Sequence, residues 1–173
     1  MTETRYALFD TSLGTCAIAW AARGIVRTFL PEPSVEAVRA RLLRRLPEAR
    51  EGVPPDDVGR AIAEITRLFA GDRVDLTWIP LDDEAVPEQY RRVYAEARAI
   101  PPGSTRTYGE IARRLGDVTL ARQVGEALSR NPFPIVVPCH RVLAAGGRTG
   151  GFSARGGTET KMQLLRIEGA VLI

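Results

Sequence analysis

Residues 107–129 read Thr-Tyr-Gly-Glu-Ile-Ala-Arg-Arg-Leu-Gly-Asp-Val-Thr-Leu-Ala-Arg-Gln-Val-Gly-Glu-Ala-Leu-Ser, and their periodicity decides how the second half of the chain folds. Thr107 to Glu110 has the form of a capping box. Ile111, Ala112 and Leu115 follow at helical spacing, and Gly116 closes the helix. Asp117-Val118-Thr119 is a short turn in which Thr119 can cap. A second helix then runs to about Ser129 on an inner stripe of Leu120, Val124 and Leu128. Two short helices joined by a tight turn predict a helix-turn-helix over about 107–129. On the second helix Ala121, Gly125 and Ser129 repeat at i, i+4 and i+8 beside Arg122. Such a strip allows close approach by another helix or, with an exposed Arg, by a nucleic-acid groove.

Downstream, Asn131-Pro132 breaks the helix. A strand-like run, Pro134 to Pro138, leads to Cys139-His140-Arg141-Val142, and a glycine-rich turn follows. His140 is the only His in the chain and Cys139 one of two Cys. A thiolate is the nucleophilic form of Cys, and an imidazole is the group best able to take its proton near neutral pH. In an extended chain the two side chains point to opposite faces, so a water must link them unless the chain turns. Glu168 is a candidate to orient the imidazole. The glycine-rich loop at 150–157 lacks the ending of a phosphate loop. Thr158 can cap a last helix over 159–168, with Met162, Leu165 and Ile167 inward.

Upstream, residues 80–87 read as a linker, and 88–99 as a helix with Tyr90, Val93, Tyr94 and Ala97 on one face. The first 80 residues predict strands at 4–11, 15–22 and 24–30. A helix capped by Ser34 follows, with Val35, Val38, Leu42, Leu43 and Leu46 inward. Asp56 or Asp57 caps a second helix to about Ala70, and 74–79 is a further strand. Cys16 alternates with Ile18 and Trp20, as a packed, inert residue would.

With 173 residues, 45% apolar and 26% charged, the chain is globular. It has no apolar stretch of membrane-spanning length and no apolar signal core behind its N-terminus. Two Cys make no disulfide framework, which points to a reducing cytoplasm. With one His they build no ordinary zinc site, so neither metal nor cofactor is expected. Residues 86–173 carry 13 Lys/Arg against 7 Asp/Glu, a net of +6, nearly all of it Arg.

Pro138-Cys139-His140-Arg141-Val142, with Thr107-Tyr108-Gly109-Glu110, Ala121-Arg122-Gln123-Val124-Gly125, Asn131-Pro132 and Ile167-Glu168-Gly169, resembles the O6-alkylguanine-DNA alkyltransferases. The resemblance covers Gly103 to Gly169. It implies an α/β (α+β) chain in two domains. Residues 1–80 would be a small α/β domain, strands then helices in a ribonuclease-H-like order. Residues 81–87 would be a linker, and 88–173 a mostly helical domain that binds DNA and accepts the alkyl group. It implies a monomer acting on double-stranded DNA with alkylated bases, away from membranes. The alkyl group of O6-alkylguanine, and of O4-alkylthymine, would pass irreversibly to Cys139 after base flipping through the minor groove. His140 would be the base acting through water, Glu168 its orienter, and Tyr108 a donor to N3 of the guanine. Arg122 would fill the gap in the stack, with Ala121, Gly125, Thr107 and Ser129 along the DNA. Val142, Ser153, Phe152 and Asn131 would shape the base pocket. Phe152 stands where relatives often carry Tyr. The competing reading is a non-catalytic module that binds lesions or operators.

Overall fold

A computed structural model describes residues 3–148 and 157–170. The chain divides into two units. The first holds residues 1–83 together with 132–134, and the second holds 84–131 and 135–173.

The first unit is built on a meander of β1 (Arg5–Thr11), β2 (Gly14–Ala21) and β3 (Gly24–Phe29), each antiparallel to the next. Both faces of β2 are buried. Ala17 and Ala19 share one face with Tyr6 and Phe29. There they pack on Val38 and Leu42 of α1 (Val35–Arg45). Ser34 caps α1 by accepting from the Ala37 N–H at 3.1 Å. Val35 and Leu43, expected inward, are instead 41% and 36% exposed. An 11-residue helix on a narrow sheet buries only the centre of its apolar stripe.

A fourth strand, β4 (Arg50–Glu51), lies in the span expected to be a loop and pairs parallel to β1. Two charged residues carry no alternation that would signal it. Next, α2 (Asp56–Phe69) starts on Pro55, and Asp57 Oδ1 accepts only from the adjacent Val58 N–H, at 2.8 Å. Residues 74–79 turn instead of extending. Asp75 accepts from the Thr77 N–H at 2.8 Å, while Val74, Leu76 and Ile79 are buried. Their apolar spacing serves the core without a ladder.

The second unit has α3 (Glu88–Arg98), α4 (Tyr108–Arg114), α5 (Ala121–Ser129) and α6 (Gly157–Ile167). It also has a two-stranded parallel ladder of β5 (Arg106–Thr107) and β6 (Val142–Leu143). The Tyr94 hydroxyl donates to the Ala127 carbonyl at 2.7 Å, tying α3 to α5. Thr107 caps α4, accepting from the Glu110 N–H at 3.0 Å as the capping box predicts. The turn before α5 departs from expectation. Asp117, not Thr119, supplies the acceptor, 2.9 Å from the Thr119 N–H, and a 3-10 turn at Val118–Leu120 precedes the helix. The Asp117 carboxylate also accepts from the Thr119 hydroxyl at 2.7 Å, which occupies the side chain expected to cap. The expected strand at 134–138 is also absent. Pro134 and Pro138 have no N–H to give a ladder, and Ile135 sits at φ +78.

Gly24 opens β3 at φ +145, and a Cβ there would lie 2.5 Å from the Pro80 carbonyl oxygen. Gly24→Ala should lower unfolding stability by about 2–3 kcal/mol in a urea titration.

Candidate active site

Cys139 opens a 3-10 turn, Cys139–Arg141, that runs straight into β6. Tyr108 is the first residue after β5. Parallel pairing of Arg106 with Val142 and Thr107 with Leu143 lays the two segments side by side, and the Tyr108 phenol comes within electrostatic reach of Cys139. The turn is braced from behind. Asn131 Nδ2 donates to the Val137 carbonyl at 2.9 Å, and the Cys139 N–H reaches the same oxygen at 2.8 Å. Pro138, at φ −80 and ψ 69, forms the inverse γ-turn that aims the Cys139 side chain.

His140 is fully buried. Its Nε2 stands 2.9 Å from Glu168 Oε1, off the axis of a straight hydrogen bond. Nδ1 has no protein partner among the described residues. Glu168 closes α6, where Gly169 at φ +77 and the Ala170 N–H on the Leu165 carbonyl, at 2.9 Å, form a Schellman end. The same carboxylate takes a bidentate pair from Arg141, Nε to Oε1 at 2.9 Å and Nη2 to Oε2 at 2.6 Å. The third arm of that guanidinium donates to the Ile100 carbonyl at 2.7 Å. One carboxylate thus holds both residues that follow the thiol.

Lys161 is 1% exposed and donates to the Val142 carbonyl at 2.6 Å, with Nζ 5.8 Å from the Tyr108 ring centroid. Neither Lys161 nor the clamp role of Arg141 was singled out from sequence. The signal was present. The only Lys of an Arg-rich chain sits on the inner stripe of α6, at helical spacing from the buried Leu164 and Leu165.

Burial pushes the Cys139 thiol up, against the pull of the Asn131 side chain, the Lys161 charge and the turn's own N–H groups. Burial likewise raises the Tyr108 phenol, helped by the charge of Cys139. It lowers the His140 imidazole, opposed by Glu168 and helped by the Arg141 and Lys161 cations. Near pH 7 all three are neutral: a thiol, a phenol donor and an imidazole able to accept a proton. Burial lowers Lys161 to about 8, still mostly cationic. Burial alone would raise Glu168, yet its bonds from Arg141 and the close approach of His140 outweigh that and hold it at about 2.

On α5, Arg122 is exposed and carries no ion pair among the described residues. A Cβ on Gly125 would meet nothing within 4 Å. Among the described residues the strip at Gly125 therefore makes no helix–helix contact. Ala121 shares the strip half-buried, and Ser129 stands exposed with its hydroxyl spent on the Glu126 carbonyl at 2.7 Å. The Thr107 hydroxyl is spent on its cap. Val142 is fully buried, and its carbonyl accepts from Lys161. Phe152 and Ser153 lie outside the described residues. No cluster of three metal-ligating side chains occurs among the described residues, and no helix there is long and apolar enough to cross a membrane.

The depressed carboxyl of Glu168 predicts an acid limb. Its pKa falls on folding from 4.5 to about 2. The stabilisation is complete above about pH 4.5 and drains away as pH drops toward 2. It amounts to about 3 kcal/mol at most. Urea unfolding measured from pH 6 to 3 should show this loss. Glu168→Gln should be less stable at pH 6 and flatter across the range.

Residues 88–170 match the family model of the 6-O-methylguanine DNA methyltransferase DNA-binding domain. A methylated-DNA–protein-cysteine methyltransferase of Methanothermobacter thermautotrophicus is 40% identical over 124 residues, 72% of this chain and 68% of that one. A DNA base-flipping protein of Thermus thermophilus is 39% identical over 133 residues, 75% of this chain and 88% of its own. The crystal structure of Mycobacterium tuberculosis OGT in complex with DNA superposes with a TM-score of 0.74 at 30% identity. That match covers 95% of this chain and 92% of the other. From the site geometry and these relationships together, the chain belongs to the methylated-DNA–protein-cysteine methyltransferases.

Proposed function

We propose that this protein repairs O6-alkylguanine in double-stranded DNA by moving the alkyl group onto Cys139, once per molecule. The observation that carries this is the joining of Cys139, the only imidazole and Glu168 in one buried constellation, with the Tyr108 phenol beside the thiol.

The chemistry follows from the protonation states. Cys139 rests as a thiol because burial disfavours its charge. A water between Sγ and the unpartnered Nδ1 of His140 carries the thiol proton to a neutral imidazole. Glu168 stabilises the imidazolium that forms. Sulfur then bonds to the alkyl carbon as the carbon–O6 bond breaks, and the electron pair passes into the guanine ring. Tyr108 donates to N3 as that charge develops, and its raised pKa keeps it protonated until then. The proton taken from the thiol returns through the base. The products are a thioether and neutral guanine, and no group here can cleave the thioether.

A base inside a duplex cannot reach this thiol, so the nucleotide is extruded. Arg122, exposed on a face that Gly125 leaves open, is the planar filler for the gap. The Lys161 bond occupies one lone pair of the Val142 carbonyl and leaves the second for the base's amino group. Asn131 braces the turn through the Val137 carbonyl. Both thiols are free, which supports a reducing compartment such as the cytoplasm.

Incubation with duplex holding O6-methylguanine should add one methyl mass to the peptide containing Cys139, at one equivalent per protein. Binding without a mass gain would instead mean a lesion-recognition module, the reading that the base-flipping relative favours. Arg122→Ala should slow repair in duplex about 10- to 100-fold while changing transfer from free O6-benzylguanine less than about three-fold. Equal losses on both substrates would remove Arg122 from base flipping.

A further inference from the structure

Residues 132–134 belong to the first unit, although the chain on both sides of them belongs to the second. Three features anchor this excursion. Phe133 is 1% exposed and among the largest fully buried side chains. The Thr28 N–H donates to the Pro132 carbonyl at 3.1 Å, and the Thr28 hydroxyl donates to the Pro134 carbonyl at 2.7 Å. Thr28 lies on β3, the edge strand in the order β3-β2-β1-β4. Its outward N–H would otherwise be an unpaired edge donor. Two prolines, which can only accept, meet a residue offering two donors.

From Pro134 to Cys139 the chain has little slack. Ile135 is the only non-glycine residue at positive φ among those described, at φ +78, and it is 4% exposed. A β-branched residue in that region is strained and persists only where its surroundings over-determine it. The Val137 carbonyl is held by Asn131 Nδ2 and by the Cys139 N–H. Pro138 has a ring-fixed φ. A shift at Pro134 therefore passes toward the thiol along a segment in which Ile135, Val136 and Val137 are all buried.

We infer that Thr28 is a positioning residue for alkyl transfer, and that the first unit serves the reaction by gripping the acceptor segment five residues before its sulfur. This rests on Cys139 being the acceptor. An error of about 1 Å in a reacting atom costs up to about 100-fold in rate, so a loosened grip is visible in kinetics.

The test compares Thr28→Val, which keeps the shape and loses the hydroxyl, with Thr28→Ser, which keeps the donor. Single-turnover transfer from free O6-benzylguanine is measured well below every variant's Tm, alongside Tm and affinity for undamaged duplex. Thr28→Val should transfer about ten-fold more slowly with DNA affinity within two-fold of the starting protein, and Thr28→Ser should recover most of the rate. Phe133→Leu, which loosens the same anchor from the core side, should also be slower, and it carries the test should Thr28→Val not fold. Wild-type rates in Thr28→Val, or in Phe133→Leu where that variant stands in, would overturn the inference and leave the hydroxyl a stability contact alone. The two readings fail separately. A parent protein that takes no alkyl group sinks the transfer reaction itself, whereas a reactive parent with indifferent variants sinks only the grip.

Discussion

The structure around the thiol depends on one carboxylate. Glu168 ends the last helix and faces two consecutive residues of the acceptor turn, Arg141 through a bidentate pair and His140 through Oε1. Burying a lone carboxylate is expensive, and so is burying an unpaired guanidinium. Each tolerates burial here only because the other is present. The pair fixes the register between α6 and the turn, and the imidazole is carried into position by the same contact. A buried ion pair is weak evidence of stability but good evidence of specified geometry.

The second constraint is the short ladder of β5 and β6. Two residues per strand are too few to be stable alone. Their value is that one pairing register fixes the segment carrying Tyr108 beside the segment carrying Cys139. Lys161 reinforces that register by bonding the Val142 carbonyl from α6. The site's fixed charges are thus Glu168, Arg141 and Lys161, all committed to architecture. The groups that exchange protons in the proposed transfer rest neutral among them.

Much of this was legible in the sequence where the signal is local. Three strands separated by glycine turns, the Ser34 and Thr107 caps, and the helix stop at Gly169 each depend on a few adjacent residues. Cys16 was legible too, since alternation with Ile18 and Trp20 places it in the core. Other features were hidden because tertiary context decides them. β4 is two charged residues with no pattern of their own, visible only through β1. The apolar spacing at 74–79 matches a strand as well as a buried turn. Pro134 to Pro138 looks extended, yet the Pro134 carbonyl accepts from Thr28 and Ile135 bends against its own preference. In the site, residue types and motif spacing located Cys139, His140, Glu168 and Tyr108. Arg141 and Lys161 were missed because buried cations are rare, and nothing in a linear pattern distinguishes a clamped Arg from a solvated one.

The two thiols differ in a way that shapes how the protein behaves in a population. Cys16 is 3% exposed and pushed up to about 12, so it is chemically silent. Every adduct therefore forms at a single sulfur, and each molecule can record one event. The fraction carrying an adduct becomes a running tally of lesions met since synthesis, as in a dosimeter badge. Capacity is then set by copy number and resupply, and no improvement in turnover can raise it.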